Sequence, residues 1–284
     1  RDINDSNVRI KQMFERQIVN QKDSLGKIYD ITSSLDQYAP EEVLFYAARV
    51  LSQLMDTKDV AIYTVANRNF ARLFSFTSER AKRLGNSIEY PSMELMYDEL
   101  KEHRVYINKT MNENYPLMAS AVYTDNDEMQ TIFMLWGIPW ERMNLAEANR
   151  LTVVGYLIHN AVIRSNRYME ALKNDRYLED TNILDTAAFT ELVTAFTNAK
   201  RNGLTECALI RITESAKGKK KMARSLGTTL RQTDYMGIVD GWLYVLLSNT
   251  DEKNADKVME RFRQNGFACE LAKLPKTPEE VSAS

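Results

Sequence analysis

Three pairs of short apolar runs, each pair joined by a small polar turn, constrain the fold of this chain most strongly. The paired runs are residues 60–65 with 70–76, 117–123 with 129–138, and 235–239 with 243–247. The corresponding turns are residues 66–69, 124–127 and 240–241, which are rich in Asn, Asp and Gly. Apolar runs of this length around such turns are typical of antiparallel β-hairpins. The sequence therefore predicts paired strands in both halves of the chain.

Helical patterns flank these hairpins. One begins at Pro40, a residue favoured in the first turn of a helix. The longest begins near Asn144, which precedes Glu147 by three residues in the pattern of a capping box, and is predicted to reach residue 178. Further helices are predicted at 92–102, 186–201, 219–231 and 251–264, and further strands at 105–107, 207–213 and 267–272. The predicted fold class is α/β (α+β), and the alternating helices and strands of the second half, with one hairpin, imply an α/β sandwich.

Length and charge limit the function. A chain of 284 residues has room for two domains, and 44% hydrophobic with 27% charged residues is typical of a globular protein. The formal net charge of −2 argues against a broad surface for a polyanion. We therefore expect no DNA or RNA partner, and any basic site should be local.

The sequence offers little material for metal or covalent chemistry. Its cysteines are Cys207 and Cys269, and its histidines are His103 and His159. These are too few for a disulfide framework or a zinc cluster, and each cysteine stands in a strand-like run, where a small buried apolar role is expected. The longest apolar stretch, residues 131–140, is half as long as a membrane-spanning helix. We predict no metal and no cofactor.

The N-terminal segment, residues 1–35, is predicted to be a stalk, helical from about residue 7. Phe14, Ile18, Gln21, Leu25 and Ile28 follow spacings of four and three residues, which form a heptad seam with one polar member. Such a seam favours a dimerising helix. The alternative is a helix that packs on its own domain.

Residues 36–168 resemble a GAF domain. The resemblance is in the order and length of the elements, namely a helix, paired strands, a short helix, further strands and a closing helix. Residues 169–178 would then be a linker helix. The resemblance implies a sensory domain with a pocket for a small molecule.

Residues 179–275 resemble a degenerate GGDEF (diguanylate cyclase) domain, an α/β sandwich. Arg231 and Asp234 form an RxxD motif, and the segment from Asp240 to Tyr244 stands at the spacing of the family's signature hairpin. Residues 181–185 and Phe189 fall where the family has its upstream signature segment. We expect the last residues, 276–284, to be a disordered tail.

Two departures from the family concern its chemistry. An active cyclase needs carboxylates at two places to hold divalent metal on a triphosphate. At these positions the chain has Arg211, within the strand 207–213, and Trp242, in the hairpin motif. A guanidinium and an indole are not magnesium ligands. We therefore predict that the protein is not an enzyme and has no catalytic residues.

The GGDEF resemblance implies that Arg231 and Asp234 bind cyclic di-GMP. An arginine can donate two hydrogen bonds to guanine O6 and N7, and an aspartate can accept from N1 and N2 on the opposite edge. The family site commonly adds an arginine from the next helix, for which Arg261 fits best and Arg263 second. The alternative reading of RxxD alone is a surface ion pair worth about 0–1 kcal/mol.

A stalk, a GAF-like region and a degenerate GGDEF-like region together resemble the PelD family. The resemblance implies a cyclic di-GMP receptor that regulates Pel exopolysaccharide synthesis and export, and hence biofilm formation. It also implies a homodimer formed through the stalk, membrane-embedded partners, and the cytoplasmic portion of a cell-membrane protein with its anchor upstream of Arg1. The alternatives are a nucleotide-independent scaffold for an active cyclase or another partner, a sensor acting through the GAF pocket, and an active cyclase.

Overall fold

The structure is a computed structural model that describes residues 38–124, 126–213, 219–231 and 233–275, with positions 26, 33, 35 and 36. The predicted stalk seam and the tail 276–284 lie outside the described residues. The predicted fold class, α/β, is confirmed, and the described residues form two sheets.

The first sheet has six strands, all antiparallel to their neighbours, in the order β3-β2-β1-β6-β5-β4. The strands are β1 Val60–Val65, β2 Ala71–Phe76, β3 Ser87–Ile88, β4 Val105–Ile107, β5 Met118–Tyr123 and β6 Met129–Leu135. The helices around them are α1 Val43–Leu54, α2 Glu94–His103 and α3 Leu145–Ala171, with single 3-10 turns at Tyr90–Ser92 and Trp140–Arg142.

Both faces of the first sheet are covered. Val60 and Ile62 of β1 belong to the apolar cluster that includes α1 and α3. Ala61 and Tyr63 belong to a second cluster, which includes the buried residues of α2. Successive side chains of a strand point to opposite faces, so one strand supplies both cores.

The second sheet has five strands in the order β11-β8-β10-β9-β7. The strands are β7 Ile183–Leu184, β8 Cys207–Ile212, β9 Tyr235–Val239, β10 Trp242–Ser248 and β11 Cys269–Ala272. The helices are α4 Lys173–Arg176, α5 Thr186–Arg201, α6 Lys219–Gly227 and α7 Glu252–Gln264. Helix α5 packs on one face and helices α6 and α7 pack on the other. Only the β7–β9 pair is parallel among the strand pairs of the described residues.

Asparagine and aspartate caps fix where several helices begin. The Asn144 side chain accepts from the Glu147 N–H at 3.0 Å, as the capping pattern predicts. Asp185 accepts from the Ala188 N–H at 2.7 Å. Asp185, the last residue of the segment 181–185, therefore caps helix α5.

Contacts between the two sheets position the site described below. Phe45 of α1 is buried against Phe196 of α5, with ring centroids 4.7 Å apart in an edge-to-face arrangement. The Phe76 N–H donates to the Leu204 carbonyl at 3.0 Å. The Arg49 guanidinium donates to the side-chain oxygen of Asn202 at 2.9 Å. The sheets are therefore joined by an apolar contact and by hydrogen bonds from the end of β2 and from α1.

Two helices end earlier than predicted. Helix α6 was expected to include Arg231 but ends at Gly227. The hydroxyls of Thr228 and Thr229 donate to the carbonyls of Ser225 and Leu226 at 2.7 and 2.8 Å, and such local bonds compete with helix continuation. Helix α3 ends at Ala171 instead of residue 178, and the short α4 follows it. The predicted boundaries at 36, 168, 179 and 275 stay predictions.

Candidate functional site

The β9–β10 hairpin has the local geometry that its sequence predicts. Asp240 and Gly241 have φ angles of 48° and 81°. Positive φ at both central residues is the signature of a type I′ turn, for which Asp-Gly is a preferred pair. Trp242 then pairs with Val239 across the first rung of the hairpin.

Asp234 closes the turn that leads into this hairpin. Its Oδ2 accepts from the backbone N–H of Arg231 at 3.0 Å, and its Oδ1 accepts from the N–H of Ser248 at 3.1 Å. The Asp234 N–H in turn donates to the Arg231 carbonyl at 3.1 Å. The carboxylate therefore ties the Arg231–Asp234 turn to the last residue of β10.

The Asp234 carboxyl is half-buried, whereas the Arg231 side chain is exposed. Burial raises the pKa of Asp234 above its ordinary value. The two backbone N–H donors and the guanidinium groups of Arg231 and Arg72 act in the opposite direction. Each carboxylate oxygen can accept two hydrogen bonds, so one acceptor position per oxygen remains.

The Arg231 side chain is exposed to solvent. Within the described part of the chain, its guanidinium makes no hydrogen bond and no ion pair, although it lies close enough to Asp234 to lower the pKa of that carboxyl. An arginine in this state presents its full set of donors to solvent. The structure thus brings Arg231 and Asp234 together, with different exposures.

The predicted third arginine stands on the next helix. Arg261 and Arg263 are both exposed on helix α7. Arg263 pairs with Glu260 at 3.6 Å and donates to the Cys269 carbonyl at 3.4 Å. Neither arginine bonds to Arg231 or Asp234 in the described residues. Their part in ligand binding stays a prediction.

The Arg231 turn faces a cleft of about 1430 Å³ between the two sheets. Arg72 of β2, His159 of α3 and Tyr235 of β9 also line this cleft. Burial lowers the pKa of Arg72, the Arg231 guanidinium lowers it further, and the Asp234 carboxylate raises it. The sequence did not predict that Arg72 lines this cleft, because nothing in its local pattern distinguishes it from any other polar strand residue.

The two positions that lack metal-binding carboxylates are neighbours on the second sheet. Arg211 of β8 pairs in register with Tyr244, two residues from Trp242 on the same strand. The Arg211 guanidinium carbon lies 5.2 Å from the centroid of the Trp242 ring, and its Nη2 forms a short ion pair with Glu270. At these two positions, therefore, the Arg211 guanidinium contacts the Trp242 indole and the Glu270 carboxylate.

The cysteines lie outside this site. Cys207 and Cys269 are both buried, and burial raises the pKa of the Cys207 thiol to about 12, so the reactive thiolate is scarce near neutral pH. Within the described ranges, no group of three or more Asp, Glu, His or Cys side chains is arranged to hold a metal ion. No helix in the same ranges has both the length and the apolar character to span a membrane.

Comparisons with known proteins found similarity among solved structures. No protein-family model and no curated protein matches the sequence. The crystal structure of PelD from Pseudomonas aeruginosa PAO1 is 11% identical, with 92% of this chain and 95% of that chain covered and a TM-score of 0.37. PelD from Pseudomonas aeruginosa PA14 in complex with c-di-GMP is 13% identical, with 92% and 94% covered and a TM-score of 0.35.

A third similar structure is a bacteriophytochrome from R. palustris. It is 9% identical, with 80% of this chain and 62% of that chain covered and a TM-score of 0.33. At such identities, no residue role passes from these structures to this chain.

Proposed function

We propose that this protein is a non-catalytic receptor for cyclic di-GMP, which it binds at the Arg231–Asp234 turn. The observation that carries the proposal is an exposed, unpaired Arg231 guanidinium beside a half-buried carboxylate at the mouth of a large cleft. The RxxD motif and the hairpin that follows it at the family spacing support the choice of ligand.

The chemistry of the two side chains fits a guanine base. The Arg231 guanidinium can donate two parallel hydrogen bonds to O6 and N7. The acceptor positions left on Asp234 can take the N1 and N2 donors of a guanine edge, and bonds to a carboxylate belong to the stronger class. Because the Asp234 oxygens are already held by two backbone N–H groups, the acceptor is pre-positioned before the ligand arrives.

The absence of catalysis is part of the proposal. Phosphoryl transfer from GTP needs oxygen ligands for Mg²⁺. Arg211 and Trp242 occupy the two positions where the GGDEF resemblance places those carboxylates, and the Arg211 charge is already paired with Glu270. A positive guanidinium at this edge would repel a divalent cation.

The cellular role follows from the PelD resemblance. We infer that ligand binding regulates Pel exopolysaccharide synthesis and export at the membrane, and through it biofilm formation. The protein would act as the cytoplasmic portion of a membrane protein, as a homodimer joined through residues 1–35, together with membrane-embedded partners. Arg261, or Arg263 in its place, would supply a further contact to the dinucleotide.

Isothermal titration calorimetry with cyclic di-GMP tests the binding proposal. The wild-type protein is expected to bind with micromolar or tighter affinity, and Arg231→Ala is expected to weaken binding at least tenfold, because bidentate arginine–guanine contacts are worth about 1–3 kcal/mol. Arg80→Ala, which removes an exposed arginine paired with Asp59, is a matched control that should bind as the wild type does. Absence of heat with the wild-type protein would overturn the proposal.

A second candidate function is a nucleotide-independent scaffold. It is favoured by one observation, which is that both Asp234 oxygens accept backbone N–H groups and so give the motif a structural purpose. A scaffold predicts that partner proteins captured from the native cell remain bound to the Arg231→Ala variant. The receptor predicts that such capture responds to cyclic di-GMP in the wild type and not in the variant.

A further inference from the structure

We propose that Arg72 of β2 belongs to the same ligand site, so that a bound cyclic dinucleotide bridges the first and the second sheet. The inference rests on the proposed function and adds to it a residue that the RxxD motif does not contain. Arg72 from the first sheet and Arg231 from the second line the same cleft, and both guanidinium groups lower the pKa of the Asp234 carboxyl.

A short chain of hydrogen bonds holds Arg72 beside the motif. Leu73, the next residue on β2, accepts at its carbonyl from the Asn249 side-chain amide in a short hydrogen bond. Asn249 follows Ser248, whose N–H donates to Asp234, and Asp234 in turn accepts from the Arg231 N–H. This chain of hydrogen bonds links the backbone next to Arg72 to the Arg231–Asp234 turn.

The same junction is reinforced by further contacts. The Asn86 side-chain amide donates to the Asn249 carbonyl at 3.0 Å. The Thr205 hydroxyl lies 3.2 Å from the side-chain oxygen of Asn249 and donates to the Phe74 carbonyl at 3.4 Å. Asn249 itself has a φ of 46°, a left-handed conformation that asparagine tolerates better than most residues. This edge of β2 is thus fixed to the end of β10.

The charges at the junction favour an anion. Two guanidinium groups, Arg72 and Arg231, face one carboxylate, Asp234, which leaves an excess of one positive charge. Burial and the neighbouring Arg231 both lower the pKa of Arg72, which means that its charged form is disfavoured by its surroundings. A phosphodiester placed between the two arginines would relieve this repulsion. Arg72 therefore fits a phosphate of the dinucleotide, with Arg231 and Asp234 available for a base.

A ligand held this way would connect the two halves of the molecule. Arg72 belongs to the sheet with GAF-like element order, and Arg231 and Asp234 belong to the second sheet. Binding would then stabilise the docked arrangement of the two sheets by the differential affinity of the ligand for that arrangement. This gives the first sheet a direct part in the response to the ligand.

The test is calorimetry with cyclic di-GMP on the full chain carrying Arg72→Met, with Arg80→Met as the matched control. Methionine keeps much of the length of arginine and removes the charge. We expect Arg72→Met to weaken binding about tenfold or more, and Arg80→Met to bind within about twofold of the wild type. We also expect the melting temperature of unliganded Arg72→Met to equal or exceed that of the wild type, because a repulsive charge has been removed.

The outcomes separate this inference from the proposed function. If the wild type binds, Arg231→Ala loses binding and Arg72→Met binds as the wild type does, the bridging role is overturned and the receptor stands. If the wild type shows no binding, both are overturned. If Arg72→Met lowers both the affinity and the unliganded melting temperature, Arg72→Lys decides, since it retains the charge. Recovery of affinity in Arg72→Lys supports the role at the site, and no recovery overturns it.

Discussion

At the residue scale, Asp234 has a structural part that a sequence motif does not reveal. Its two oxygens accept hydrogen bonds from the N–H groups of Arg231 and Ser248. Asp234 therefore determines the shape of the turn and also supplies its negative charge. Arg231 contributes its backbone to this turn and leaves its side chain unpaired. Substitutions of these two residues should therefore have different effects on stability.

Asp234→Ala is expected to lower the free energy of unfolding by about 1–3 kcal/mol, because two backbone N–H groups lose their acceptor. Arg231→Ala should change it by no more than about 0.5 kcal/mol, as is usual for an exposed side chain without partners. Urea unfolding followed by circular dichroism measures both. Equal destabilisation by the two substitutions would contradict the geometry of the turn.

His159 gives a second residue-scale prediction. It is buried on α3 at the cleft, and burial lowers its pKa below the ordinary value of 6.5. The unfolded chain therefore binds the proton more readily, so this group's contribution to stability is present above about pH 6.5 and is lost as the pH falls through the folded-state pKa. His159→Asn should reduce the fall in melting temperature between pH 7.5 and pH 5. An unchanged pH profile in the variant would contradict the assignment.

At the element scale, the short helix α4 joins the two sheets through a buried ion pair. Arg176 of α4 donates to Glu41, ahead of α1, at 2.5 Å, and it also lies 3.9 Å from Glu191 of α5. The Arg176 and Glu41 side chains are 11% and 5% exposed, so the Glu41 carboxylate is buried beside the guanidinium that balances its charge. Helix α4 thus contacts the segment ahead of α1 and helix α5.

Breaking this pair is expected to be costly. Arg176→Met alone should lower the free energy of unfolding by about 3–5 kcal/mol, because the Glu41 carboxylate would be left buried without a partner. The double variant Glu41→Leu with Arg176→Met should recover much of this loss. Chemical unfolding of the two variants and the wild type gives the comparison, and a double variant less stable than the single one would show that the pair is not the cause.

The elements also show how far the sequence could predict this structure. The Asp240-Gly241 hairpin and the Asn144 cap depend on neighbouring residues, so local patterns predicted them correctly. Strands β3 and β7 have two residues each and are too short for a period to appear. Helix α6 ends early because of the threonines after it. The RxxD motif predicted that Arg231 and Asp234 lie close together. The position of Arg72 near them could not be predicted, because it follows from a contact between Leu73 and Asn249. These residues are 176 positions apart, and no local pattern contains such a contact.

At the scale of the whole molecule, we propose a receptor that has a GGDEF-like sheet and no cyclase activity. Incubation of the purified protein with GTP and Mg²⁺ should give no cyclic di-GMP and no pyrophosphate above a heat-denatured control, because Arg211 and Trp242 replace the metal-binding carboxylates. Chromatography of the reaction, with an active cyclase as the positive control, checks this. Product formed at a rate that scales with protein concentration would contradict the non-catalytic assignment.

The most direct measurement is a crystal structure of the protein grown with cyclic di-GMP. The account predicts electron density for the dinucleotide at the Arg231–Asp234 turn, with the Arg231 guanidinium within hydrogen-bond distance of a guanine and the ligand facing the cleft that Arg72 also lines. Density for the dinucleotide elsewhere on the chain, with Arg231 still unpaired in a complex that calorimetry shows to be saturated, would contradict it.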